Sequence, residues 1–247
     1  MTARRLSLLA GEAVREALHL RLPWALALAC LGLGAGGAAL TGFNFGLAEP
    51  RFLSDLADGE LALFGGAQAL LLTVVLVHGA LERGRPQLLL ARGVRRWEWL
   101  AGNLAAAWAA SAALAAGVYL VLGALLLWRG HAVDPAGLAA DGARAFFRLA
   151  VVAALALATA AICRSTFLAA VLALALTVAG QLAPVAHWNA THGGPAGRTG
   201  WTALGCILPD FSLLGDGSTL AAAAGRASVY CALYGLLAAA VFARRDL

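Results

Sequence analysis

With 247 residues, 62% of them hydrophobic and only 13% charged, and a mean hydropathy of +0.81, the chain departs from soluble domains, in which about a quarter of residues are charged. That excludes an ordinary globular protein and points to an all-α polytopic membrane protein. The net charge of +5 comes from 18 arginines that sit beside apolar runs, where membrane topology explains them better than nucleic-acid binding does.

Residues 2 to 22 place Leu6, Leu9, Ala13, Ala17 and Leu20 at three- and four-residue spacings, with Arg4, Arg5, Glu12, Arg15, Glu16 and Arg21 mostly between them. This pattern predicts an amphipathic helix lying on the membrane interface before the chain turns inward at Pro23. No cleaved leader is expected, because the apolar run from Pro23 continues without a small-residue cleavage pattern.

A crossing needs about 20 apolar residues, which places six spans near 23–43, 60–81, 99–127, 145–162, 167–186 and 222–243. Six crossings put both termini on one side. That side, comprising the amino terminus, the 82–98 bridge, the 163–166 turn and the tail, holds twelve arginines. The opposite loops hold four, namely Arg51, Arg129, Arg144 and Arg198. The asymmetry predicts cytoplasmic termini and a cytoplasmic bridge. Arg148 and Arg226 lie near outer span ends, where snorkelling is expected.

The bridge, ERGRPQLLLARGVRRWEWLAGN from Glu82 to Asn103, is the most informative stretch. It crowds Arg83, Arg85, Arg92, Arg95 and Arg96 around Leu88, Leu89 and Leu90. Pro86 suits a helix start and Gly93 a helix stop. A helix of about two turns is too short to stand alone in water, so it needs a membrane surface or a partner protein.

Within the spans ionisable residues at mid-depth are nearly absent; Gln68, His78 and Gln181 are the main polar candidates. Ion-driven transporters usually carry buried charges or broken helices there. Glu49, Asp55 and Asp58 in the 44–59 loop read as a solvated acidic face. His187, Asn189 and His192 read as a polar loop, with too few ligands for a metal site. Cys30, Cys163, Cys206 and Cys231 form no CxxC pair, and the three in or beside apolar runs read as small core residues. The run from Trp201 to Leu214 is too short to cross and too apolar for a free loop, which predicts a re-entrant or interfacial segment before the last span, with Trp188 and Trp201 as anchors.

Three pieces, in order, resemble permease subunits of ABC-2 type ATP-binding-cassette transporters. They are Glu82 followed by QLLLARGVRRWEWLAGN, the ILPDF of Ile207 to Phe211, and the terminal FARRDL of Phe242 to Leu247. Gly93 and Asn103 depart from the proline and lysine often found in that family. The resemblance implies a cytoplasmic coupling helix that seats on a separate P-loop ATPase. Glu82, Arg85, Leu88, Leu89, Leu90, Arg92, Arg96 and Glu98 would contact or position that subunit, the leucines as anchors and the arginines as a polar rim. It implies an outer motif of Leu208, Pro209, Asp210 and Phe211, a homodimer with two ATPases (or a heterodimer with a similar permease), and export across a bacterial cytoplasmic membrane. ATP and Mg would reside on the partner, since this chain has no GxxxxGK[ST] loop, and no cofactor is expected on this chain.

Other classes are weighed on the same residues. A membrane enzyme needs a nucleophile with its base, paired acids or a metal cluster, and no GxSxG or HExxH occurs. A membrane scaffold or assembly protein and an ion-coupled secondary transporter remain as alternatives.

Overall fold

The computed structural model describes residues 3–40, 49–91, 93–185, 188, 208–214 and 219–244, and all regular structure among them is helical. In chain order the helices are α1 (Ala3–His19), α2 (Arg21–Leu40), α3 (Glu49–Glu60), α4 (Gly66–Glu82), α5 (Arg85–Ala91), α6 (Arg96–Trp128), α7 (Pro135–Ile162), α8 (Thr166–Gln181) and α9 (Leu220–Ala243). One π-helical turn, Leu61–Gly65, joins α3 to α4, and a short 3₁₀ turn spans Ser212–Leu214.

The centre of the bundle is α7, every residue of which from Leu149 to Ala161 is buried. A helix apolar on all sides, VVAALALATAA, has no face that must meet water. Here it packs against α4, α6, α8 and α9. Small side chains make this possible, because between helices in lipid the attraction comes from close van der Waals packing. Gly65 illustrates the tightness: a Cβ there would lie 3.1 Å from both δ-methyls of Leu149. The outer helices leave apolar stripes uncovered, such as Phe167, Val171, Leu174 and Val178 on α8, and Val229, Leu233 and Leu236 on α9. Such stripes suit contact with hydrocarbon.

The helical class stands, but the six-span count is corrected. Among the described residues four helices are long and apolar enough to cross a membrane: Glu49–Glu82, Arg96–Trp128, Pro135–Ile162 and Leu220–Ala243. The pair Ser7–His19 and Pro23–Gly37, bent by 64°, counts as a fifth if it is one broken span. Pro23 accounts for the bend, since it cannot return a hydrogen bond to the His19 carbonyl. The expected span at 167–186 is instead a 16-residue helix, about 24 Å long and short of a hydrocarbon core of about 30 Å. It breaks at Leu182, ahead of Pro184, whose ring clashes with the carbonyl four residues back.

The 44–59 loop is also corrected. Its described part is α3, continuous with the span, with Leu53, Ala57 and Glu60 buried. Asp58 therefore belongs to the helix bundle and not to a solvated acidic face, while Asp55 is exposed.

Candidate functional site

At one end of the bundle the bridge forms the short helix expected from its sequence. Gly84 adopts a φ of +64° and Gly93 of +77°, left-handed conformations that glycine takes without a Cβ penalty. Between them α5 runs for seven residues. Pro86, its second residue, is buried, and its missing N–H costs nothing in a first turn. Beyond Gly93 the Val94 N–H donates to the Leu89 carbonyl at 3.2 Å, the six-to-one bond that closes a Schellman turn.

The leucine triplet divides. Leu88 is 67% exposed, whereas Leu89 is partly buried against the main core. The Leu90 side chain and Arg92 lie outside the described residues. Glu82 is exposed at the end of α4. Glu98 is not a surface contact: it is 1% exposed, and its Oε2 accepts from the Arg95 N–H at 3.0 Å. It thereby caps the first turn of α6 as the third residue of a capping box.

One clamp reaches this short helix and a second holds the start of α6 just beyond it. On one side Glu16 of α1 takes Arg85 Nη1 on Oε2 at 2.5 Å and binds Arg83 through its other oxygen. α1 is itself docked on the bundle by Ala13 and Ala17 against Leu72, Leu76 and Ala106, and not simply laid on a membrane surface. Gly102 admits it: a Cβ at that position would lie 3.1 Å from Leu9 Cβ. On the other side Arg96 Nη1 donates to the carbonyls of Phe242 at 2.9 Å and Ala243 at 3.1 Å, and Trp99 stacks on Phe242 with ring centres 5.2 Å apart. The FARRDL segment is thus tied to the bridge at Phe242 and Ala243; residues 245–247 lie outside the described chain.

The opposite end carries the second expected motif. Leu208, Pro209, Asp210 and Phe211 are all buried; Ile207, Trp201 and the His187 to His192 stretch apart from Trp188 lie outside the described residues. The segment seats on α8 at Gly180, where a Cβ would come within 2.7 Å of the Pro209 carbonyl oxygen and 2.8 Å of a Phe211 ring carbon. Asp210 Oδ1 accepts from the Ser212 N–H at 3.0 Å and hydroxyl at 2.6 Å, making a local turn of the Asx kind. From α9, the Tyr230 hydroxyl accepts from the Asp210 N–H at 3.3 Å, and Arg226 Nη1 donates to the Leu213 carbonyl at 2.6 Å. Arg226 does not merely snorkel; it ties the segment to α9.

Beneath this segment lies a chamber of about 290 Å³ between α3, α7 and α8, with Phe211 and Ser212 on its wall. Asp58 and Arg148 face it. Asp58 Oδ1 accepts from Arg148 Nη2 at 3.0 Å and from the Tyr119 hydroxyl at 2.8 Å, so one carboxylate joins α3, α6 and α7. Gln68 donates to the Ala110 carbonyl at 3.4 Å, His78 is buried, and Gln181 lines the chamber.

Sequence reasoning missed Glu16, Asp58, Tyr119 and Gly180. The signal for the ion pair was Arg148 itself, since an arginine at the margin of a span calls for a carboxylate. No signal marks Gly180 among 29 glycines. Comparison of the sequence with protein-family models and with characterised proteins finds no match.

Proposed function

We propose that this chain is the permease subunit of an ATP-binding-cassette transporter, driven by a separate ATPase. The observation that carries the reading is α5: a two-turn helix at the end of the bundle, tied to α1 through Arg85 and Glu16, that leaves Leu88 standing out. A leucine presented on a clamped helix has little conformational freedom left to lose on docking, which favours binding to a preformed groove. Leu88 enters the partner groove, while Arg85 and Glu82 form its rim.

The clamps give the helix mechanical reach. A push on α5 is delivered to α4 and α6 through the chain, to α1 through Glu16, and from α6 onward to α9 through Arg96. Closure of two ATPases beneath a pair of these chains would move those helices against α7, and the pathway opens between them. ATP and Mg belong to the partner. On this reading the bridge and both termini are cytoplasmic, the membrane is the bacterial cytoplasmic membrane, and the direction is export.

The test is co-purification with a P-loop ATPase expressed from a neighbouring reading frame. Leu88→Asp leaves the buried core intact and is expected to abolish capture while the permease still purifies. Capture that survives this change overturns the reading.

A further inference from the structure

The chamber beneath Leu208–Leu214 presents opposite charges side by side on its wall. Its two charged residues form one ion pair through Asp58 Oδ1 and Arg148 Nη2. Among the described residues Asp58 Oδ2 and the Nη1 and Nε of Arg148 make no hydrogen bond, and the Gln181 amide makes none either. Both side chains of the pair are 27% exposed, so they are reachable from the chamber. An arginine has five N–H donors and an ionised carboxylate about four acceptor positions, so most of this capacity is open.

The net charge of the pair is zero. A ligand of either single charge is attracted by one member and repelled by the other at nearly the same distance. A ligand with an anion and an ammonium a few bonds apart satisfies both: the anion on Arg148, the ammonium on Asp58 Oδ2. Leu61, Leu149, Val152 and Phe211 supply an apolar wall beside this pair, as ligand sites commonly do. At about 290 Å³ the chamber is at the lower end for small-molecule sites. A headgroup or an amino-acid-sized solute fits; a bulky cargo does not.

We propose that this chamber binds a zwitterion of the phosphoethanolamine type, either as a free solute or as the headgroup of a membrane lipid. The site is made by this chain alone, so its test needs neither ATP nor an ATPase and stands apart from the transporter reading. The full-length protein is reconstituted in bilayers of equal phosphatidylethanolamine and phosphatidylglycerol, and the lipids it retains are read by native mass spectrometry. In parallel, phosphoethanolamine is titrated into the detergent-solubilised protein as its glycerol diester, whose phosphate carries one negative charge as in the lipid.

Selective retention of phosphatidylethanolamine, or saturable binding of the glycerol diester, is expected; the first alone assigns a lipid, and binding of the free solute assigns a small molecule. Ala62→Leu, which narrows the chamber from an exposed position and keeps both charges, should weaken binding at least tenfold, as should Arg148→Gln. Equal retention of both lipids with no binding of the diester overturns the proposal, and so does binding that Ala62→Leu leaves unchanged. If Arg148→Gln fails to fold, Ala62→Leu and Gln181→Leu, which keep the pair, decide the matter.

Discussion

Arg96 at the start of α6 closes the end of α9 by donating from Nη1 to the carbonyls of Phe242 and Ala243. The last carbonyls of a helix have no partner within it, and a cation there also meets the negative end of the helix dipole. Hydrogen bonds to a charged group are worth about 1.5–3 kcal/mol. Arg96→Ala is expected to destabilise the detergent-solubilised protein by that order, read as a lowered thermal midpoint. Arg96→Lys keeps the charge and should recover part of the loss. A midpoint unmoved by Arg96→Ala would show that the clamp contributes nothing.

Glu16 makes two surface ion pairs, with Arg83 and Arg85. Exposed pairs of this kind contribute only about 0–1 kcal/mol each, and salt screens them. Glu16→Gln should therefore leave the thermal midpoint nearly unchanged but loosen the tie between α1 and α5. Amide hydrogen exchange across residues 83–91 should quicken in the variant, and in the wild type at high salt.

Gly180 lets the Leu208–Phe211 segment lie against α8, with no room for a methyl group. Gly180→Ala forces that segment outward and should cost about 1–3 kcal/mol, the usual penalty for overpacking. Gly225 on α9 has nothing within 4 Å of a Cβ, so Gly225→Ala is the control and should be neutral or stabilising by up to about 1 kcal/mol.

Asp58 and Arg148 are coupled directly, so their substitutions should not add. Asp58→Asn and Arg148→Gln each leave a charge without its partner inside the bundle, and such losses reach about 3–5 kcal/mol when burial is complete; at partial exposure less is expected. The double variant should be less destabilised than the summed singles by about 0.5–3 kcal/mol. Additivity in a double-mutant cycle would mean that the 3.0 Å contact carries no energy.

The short helix was legible because its signals are local. Pro86 and Gly93 act through their own backbone preferences, and those hold wherever the bridge packs; the left-handed Gly84 was added by the structure. The number of spans was less legible, because composition alone does not show where a helix breaks. Pro23 and Pro184 interrupt runs whose hydropathy continues, and Asp58 lies in a helix that hydropathy ends too soon.

The sequence by itself determined the helical membrane class, through apolar runs that cannot be solvated, and the two-turn bridge, through Pro86 and Gly93. Tertiary structure alone decided which charges meet. Glu16 reaches Arg83 and Arg85 across more than sixty residues of chain, Arg96 reaches Phe242, and Asp58 gathers Tyr119 and Arg148. Each pairing depends on the side of a helix that faces its neighbour. That orientation is settled by how alanines and glycines let α7 and its partners approach, a property of the packed bundle that no single stretch of sequence contains.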